Sequence, residues 1–260
     1  MSLHAITRLP SRHMDSGELT HLKRIPIDAA LAILQHAAHH DVLAECGVQV
    51  QVLAGDDLLP DCAFVEDTAV IFPEVTVLCR TGARTRRAEI EAVVPLLPDD
   101  RPVFRIEPPA TLEGGDVVLA GRDVFVGRST RTNEQGVQAL QKVLGSYGYR
   151  VSPVAVPGAL HLKTACTLLD SETLLINRRW VNPGDFPGFT LLDVAPGEPF
   201  AANVLKVGER VLVQAAFPLT ADAIEARGHR TMRLDISEFA KAEAGLTCLS
   251  LIFDTESPAP

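Results

Sequence analysis

The chain has 260 residues, with 24 Lys and Arg against 33 Asp and Glu for a net charge of −9, and 47% of its residues are hydrophobic. That hydrophobic share is too high for disorder, and no apolar run approaches the roughly 18 residues that a membrane span needs. The acidic balance argues against a nucleic-acid surface and suits a small cationic partner better. In chain order, residues 4–8 read as a strand, 29–46 as a helix ending at Gly47, and 48–53 as an alternating strand. Residues 68–72 and 75–79 read as a hairpin turning at Pro73 and Glu74, followed by a helix over 85–97 and a strand over 103–106. The same order recurs as the hairpin 116–120 with 124–127, the helix 132–147 and the strand 150–156. A third hairpin, 165–169 with 173–177, runs into a stretch over 178–188 rich in Pro, Gly and Asn, where no helical pattern precedes the strand 189–194. The last hairpin, 203–207 with 210–214, is followed by a helix over 219–226, a strand over 231–234 and an apolar run over 249–253.

Pairing 4–8 with 249–253 completes a split first unit and makes five, recurring about every 40–50 residues, the spacing of a repeat architecture. Periodicity alone leaves a closed ring level with an α+β sandwich of incidental spacing. No linker divides the chain, so one domain over 1–254 is expected, with a loose tail over 255–260. The cysteines, Cys46, Cys62, Cys79, Cys166 and Cys248, are odd in number, scattered and free of any C-x-x-C pair, which suggests neither a disulfide framework nor a structural zinc site. With no apolar leader in the first 24 residues, the expected location is cytoplasmic. His36 and His40 share a helix face, but Asp41 points elsewhere and supplies no third ligand. The three histidines at 36, 39 and 40 are expected on a solvated polar face, and no metal cofactor is expected.

Reactive residue types sit just before the first apolar strand in four of the five units: Glu66 and Asp67, Glu113 and Asp116, His161 and Lys163, and Cys248. Rotational pseudosymmetry would point all four segments to one end of a single axis. A thiol, an imidazole and several carboxylates in one pocket make a nucleophile, an acid/base and anions able to hold a cation.

The segments DCAFVED at 61–67, LEGGD at 112–116, STRTN at 129–133, HLK at 161–163 and LTCLSL at 246–251 stand in the order found in the guanidino-group-modifying (pentein) superfamily. The chain resembles that superfamily over nearly its whole length. Within it the chain is most similar to the dimethylarginine dimethylaminohydrolases, being too short for the extra helical insertion of arginine deiminases. The resemblance implies an α/β fold, a fivefold pseudosymmetric α/β-propeller of ββαβ units. It also implies hydrolysis of Nω-methylated L-arginine, as dimethylarginine or monomethylarginine, to L-citrulline and the methylated amine, without a cofactor. The partner is then a small molecule, with neither nucleic acid nor membrane involved, and a homodimer is possible.

A guanidinium resists attack and its amine leaves badly, so the enzyme must bury it beside carboxylates, present a thiolate and protonate the departing nitrogen. On the resemblance, Cys248 is the nucleophile and His161 the general acid and later base. Asp67 and Glu113 face the guanidinium with Glu66 in support, and Asp116 is structural or orients His161. Arg86 and Arg131 clamp the substrate carboxylate, Asp61 takes its ammonium, Phe64 forms an apolar wall, and Leu19, in GELT at 17–20, belongs to a lid. Cys46, Cys79 and Cys166 are expected to pack, and Cys62 to lie near the pocket without reacting. The pattern departs from the family at Ala242, Glu243 and Ala244, where an Asp and paired glycines are usual, which bears on the geometry of the turn that presents Cys248. An arginine deiminase acting on unmethylated arginine and a non-catalytic binding module are the alternatives, and agmatine is disfavoured because the two arginines call for a substrate carboxylate.

Overall fold

Alternating apolar residues on either side of a two-residue turn fold here as antiparallel hairpins, and each hairpin takes a third strand in parallel. The structure, a computed structural model, describes residues 2–255; residue 1 and, of the expected tail, residues 256–260 lie outside the described residues. Its sheets are five, each of three strands. Ala69–Ile71 and Thr76–Leu78 pair with Val103–Arg105, Val117–Ala120 and Asp123–Arg128 with Arg150–Ala155, and Cys166–Leu168 and Thr173–Ile176 with Thr190–Asp193. Leu205–Val207 and Arg210–Gln214 pair with Arg230–Leu234. In the split unit Leu3–Arg8 runs antiparallel to Leu251–Asp254 and parallel to Gln49–Leu53, so the two ends of the chain close one sheet. Gly121 (φ 61°) and Gly208 (φ 55°) supply the left-handed backbone that two of the tight hairpin turns require.

The five innermost strands surround a cavity of about 430 Å³, to which each contributes side chains, among them Val70, Leu119, Leu168, Leu205 and Ile252. This is the fivefold pseudosymmetric α/β-propeller: strands ring the axis and connecting helices cover the outside. Glu134–Gly145 begins where the Asn133 side chain accepts the Gly136 N–H at 2.8 Å and buries Val137, Leu140 and Leu144 at helical spacing against its sheet. The expected helix over 85–97 is instead a 3-10 segment Arg84–Glu89, one α turn Ile90–Val93 and a 3-10 turn Val94–Leu96. Pro95, which has no N–H to donate, falls in the last of these. In the unit without a predicted helix, residues 178–188 hold only the 3-10 turn Pro183–Asp185.

The helix Ala29–Glu45 departs from expectation in its polarity. It turns Gln35, His36 and His39 inward with Ala32 and Leu43, and leaves Leu34 67% exposed. The histidines at 36 and 39 are therefore not on a solvated face: His36 packs against Phe239, with ring centroids 5.9 Å apart, and no ring nitrogen of His36 or His39 has a hydrogen-bond partner. Only His40 keeps one, between its Nε2 and the Thr7 hydroxyl at 2.8 Å. Burial pushes His36 and His39 down to about 3, so both fold neutral.

An unfolded histidine titrates near 6.5, so between about pH 6.5 and 3 the unfolded chain binds protons that the folded one refuses, and stability falls as pH drops through that window. Urea unfolding at pH 5.5 should show a loss of about 1.4 kcal/mol per buried histidine relative to pH 8. His39→Leu should flatten that slope.

Candidate active site

In four of the five sheets a single helical turn precedes the innermost strand: Val65–Thr68, Gly114–Asp116, Leu162–Ala165 and Thr247–Leu249. The turns meet at one end of the axis and carry Asp67, Glu113, His161 and Cys248 to within one small volume. Glycine makes the approach possible. A Cβ on Gly115 would stand 2.6 Å from His161 Nδ1 and 2.9 Å from an Asp67 oxygen. The fifth sheet contributes Asn203, whose amide donates to the Lys163 carbonyl and the Thr247 hydroxyl and accepts the Thr247 N–H, tying the His161 turn to the Cys248 turn.

The resulting cavity is lined by Asp61, Phe64, Asp67, Arg86, Arg131, His161 and Cys248, all expected in the site, together with Glu18, Leu160, Ala242, Glu243 and Ala244. It holds about 20 Å³, room for one water rather than an amino acid, because the segment after Met14–Ser16 lies across its mouth. Three expected residues lie elsewhere. Glu113 is fully buried behind His161, with its carboxylate 2.7 Å from the imidazole Nε2. Leu19 is half-buried in the segment over the mouth, beside Met14 and Ile25. Glu66 faces the axial cavity, where its carboxylate accepts from Lys163 Nζ at 2.6 Å and from the Thr247 hydroxyl at 2.7 Å. It thereby forms the floor under Cys248.

The electrostatics follow from burying acids among few bases. Burial opposes charge on His161, but Asp67, Asp116 and Glu113 outweigh it and raise the imidazole to about 9, so it is an imidazolium at neutral pH. Asp116 sets the turn: its carboxylate accepts the Leu162 N–H at 2.9 Å and the Ser129 hydroxyl at 2.6 Å. Asp67 accepts the Gly115 N–H at 3.0 Å and an Arg86 N–H at 2.7 Å. Arg86 is further pinned by Glu89 at 2.9 Å and by the Phe64 carbonyl at 3.1 Å, whereas Arg131 donates to the Thr20 hydroxyl at 3.1 Å. Glu89 was not anticipated; its three-residue offset from Arg86 in RTRRAE is the signal that pairs them. Burial pushes Glu89 up to about 7 and raises Asp61 as well, the mark of carboxylates short of cationic partners. A cation bound in the cavity would relieve Asp61, which lines it. Asp67, Glu113 and His161 also bring ligand atoms within 4.8 Å of one another, a spacing that suits a metal. Here Arg86 and the His161 proton already supply positive charge to those carboxylates.

Burial raises the Cys248 thiol well above its ordinary value, and Glu66 and Asp67 raise it further, so the thiol is neutral at neutral pH. Its sulfur accepts the Gly245 N–H at 3.4 Å. Of the other cysteines, Cys62 is buried with its thiol near the Leu9 and Asp56 carbonyls, Cys79 and Cys166 are core residues, and Cys46 caps its helix beside Met232.

Since His161 is raised from 6.5 to about 9, its contribution to stability is complete below about pH 6.5 and is lost as pH rises through about 9. The imidazole resonance of His161 in a proton NMR titration should move with a midpoint near 9, and Glu113→Gln should lower that midpoint by about a unit or more.

With this geometry in view, relatives are informative. A family model described as arginine deiminase matches residues 59–197. The N(G),N(G)-dimethylarginine dimethylaminohydrolase of Pseudomonas aeruginosa is 34% identical over 255 residues, covering 97% of this chain and 100% of that protein. The protein of the same name from Streptomyces coelicolor is 38% identical over 254 residues, 96% of each chain. A solved structure of the P. aeruginosa enzyme, a cysteine-to-serine mutant complexed with citrulline, superposes with a TM-score of 0.91 at 34% identity over 96% of this chain and 98% of that one. The order of the motifs, the five-sheet ring and these full-length likenesses agree: the chain belongs to the dimethylarginine dimethylaminohydrolase family of the pentein superfamily.

Proposed function

We propose that this chain hydrolyses Nω-methylated L-arginine to L-citrulline and methylamine or dimethylamine through a covalent thiouronium on Cys248. The observation that carries the reading is a thiol and an imidazolium opening into one closed, acid-rich cavity. The substrate guanidinium lies against Asp67, which keeps one oxygen on the Gly115 N–H. The cation beside Cys248 lowers its thiol, whose proton passes to solvent water as the thiolate attacks the guanidinium carbon. The C–N bond to the methylated nitrogen breaks as the His161 imidazolium donates its proton to that nitrogen. His161, now neutral, takes a proton from water, whose oxygen attacks the same carbon; the C–S bond then breaks, and the proton left on that oxygen passes to the departing sulfur, giving citrulline and restoring the thiol. Glu113 holds the imidazole in place and favours its charged form.

Asp61 receives the α-ammonium and Phe64 walls the alkyl chain. Arg131 is the freer of the two arginines to take the α-carboxylate, because Arg86 is already engaged by Asp67 and Glu89. Glu66, held by Lys163 and Thr247, supports the Cys248 turn from below. Leu19 closes over the substrate. The likeness of residues 59–197 to arginine deiminase favours a second reading, the same chemistry on unmethylated arginine. One methyl group more or less in an apolar pocket changes discrimination by only about 1–3 kcal/mol.

A citrulline colour assay with asymmetric dimethylarginine, monomethylarginine, arginine and agmatine tests the proposal. Citrulline should form from a methylated arginine, with Cys248→Ser and His161→Gly each at least about 10³-fold slower. Absence of product from all four substrates would refute it. The neutral thiol makes a separate prediction: iodoacetamide should alkylate Cys248 in the free protein at neutral pH more slowly than a free thiol, with no plateau below pH 8. A plateau there would mean a thiolate preformed beside His161.

A further inference from the structure

Among the described residues, Glu243 is the only non-glycine residue with a positive φ, at 62°. It stands in the turn after Ser237–Ala240, where its own N–H donates to the Ala240 carbonyl at 3.1 Å and the Ala244 N–H donates to the Phe239 carbonyl at 3.1 Å. Glycine would make that turn without a steric penalty, so a glutamate there is strained and must gain something through its side chain. The side chain reaches the segment across the cavity mouth. One carboxylate oxygen accepts the Thr20 N–H at 2.8 Å; the other accepts the His21 N–H at 2.5 Å and the Leu22 N–H.

The remaining holds on that segment are few, and two of them are shared with the site. Asp61 accepts the Glu18 N–H at 2.9 Å, the Thr85 hydroxyl donates to the Glu18 carboxylate at 2.6 Å, and Arg131 donates to the Thr20 hydroxyl at 3.1 Å. Arg24 donates to the Gly17 carbonyl at 2.6 Å. Asp61 and Arg131 are the groups assigned to the substrate's ammonium and carboxylate, and a substrate must compete for them. Glu243 has no such second duty, yet it lines the cavity next to Ala242 and Ala244 and five residues before Cys248. A cavity of about 20 Å³ admits no amino acid, so each entry and each release must break the three Glu243 contacts.

We propose that Glu243 is the latch of the substrate lid: a positioning residue whose carboxylate clamps the backbone of residues 20–22 and thereby sets substrate capture and product release. The proposal rests on the hydrolase reading for its kinetic consequence and on geometry alone for its structural one. The strain at residue 243 is tolerated in the closed state, where three N–H donors surround the carboxylate, and is uncompensated when the lid lifts.

The test compares the full chain with Glu243→Gly, which relaxes the turn and removes the clamp, and Glu243→Gln, which keeps the shape and one acceptor oxygen but not the charge. Tryptic cleavage after Lys23 and Arg24 reads lid opening without any chemistry. It should be about tenfold faster in Glu243→Gly, with Glu243→Gln intermediate, at unchanged or raised thermal stability. In steady-state kinetics the KM for the methylated arginine should rise about fivefold or more while kcat changes less than about twofold, a split that a turn of purely structural importance would not produce. Wild-type cleavage rates in a folded Glu243→Gly would overturn the latch. If the unaltered protein made no citrulline from any arginine derivative, the hydrolase reading would fall and the cleavage rates would still decide the latch.

Discussion

The site depends on an imbalance of buried charge. Asp61, Asp67, Glu89 and Glu113 are buried around Arg86, Arg131 and His161, and the carboxylates that lack a full cationic partner, Asp61 and Glu89, are driven toward their neutral form. Ion pairs of this kind stabilise a fold weakly, because desolvation consumes most of the Coulomb gain. They are well suited to recognising a cation, since a ligand that brings its own positive charge and no water recovers part of that cost. Asp67, with Asp116 and Glu113, imposes the charge on His161, while burial, with Glu66 and Asp67, withholds it from Cys248. Imidazole and thiol are thus both protonated at neutral pH.

Architecture makes such a concentration of charge possible. A hydrophobic core would reject it, but the turns that carry these residues sit at the end of a ring whose centre is partly hollow, so packing is supplied by the sheets and helices outside and polar contacts organise the middle. Pseudosymmetry then does the gathering: the same turn, built from different sequences in four sheets, delivers a carboxylate, a second carboxylate, an imidazole and a thiol to one place. The fifth position breaks the pattern by using an amide, Asn203, as a splint between two of its neighbours.

Much of this was legible in the sequence because hairpin turns and period-two alternation are local signals. The four hairpins and the missing fourth helix are in the structure where the sequence pattern puts them, and the split first unit was inferred from the need to complete a repeat. What was not legible required knowing which way a side chain turns. Glu66 and Asp67 are adjacent, so in an extended or helical turn they diverge, one into the axial cavity and one into the site. The helix Ala29–Glu45 has almost no polarity difference between its faces, which left the inward turn of His36 and His39 invisible. Glu243 was recognisable only as a departure from pattern, because its partners lie more than two hundred residues earlier in the chain.

The sheet that joins Leu3–Arg8 to Leu251–Asp254 gives the order of synthesis a meaning. During translation the carboxylates, His161 and the segment over the cavity mouth all emerge before Cys248, and the ring closes only when Leu251–Asp254 docks against Leu3–Arg8. Such long-range pairing is slow to nucleate, since the loop between the partners is nearly the whole polypeptide. Cys248, in the turn just before that closing strand, therefore takes its place beside Asp67 and His161 only once Leu251–Asp254 has docked.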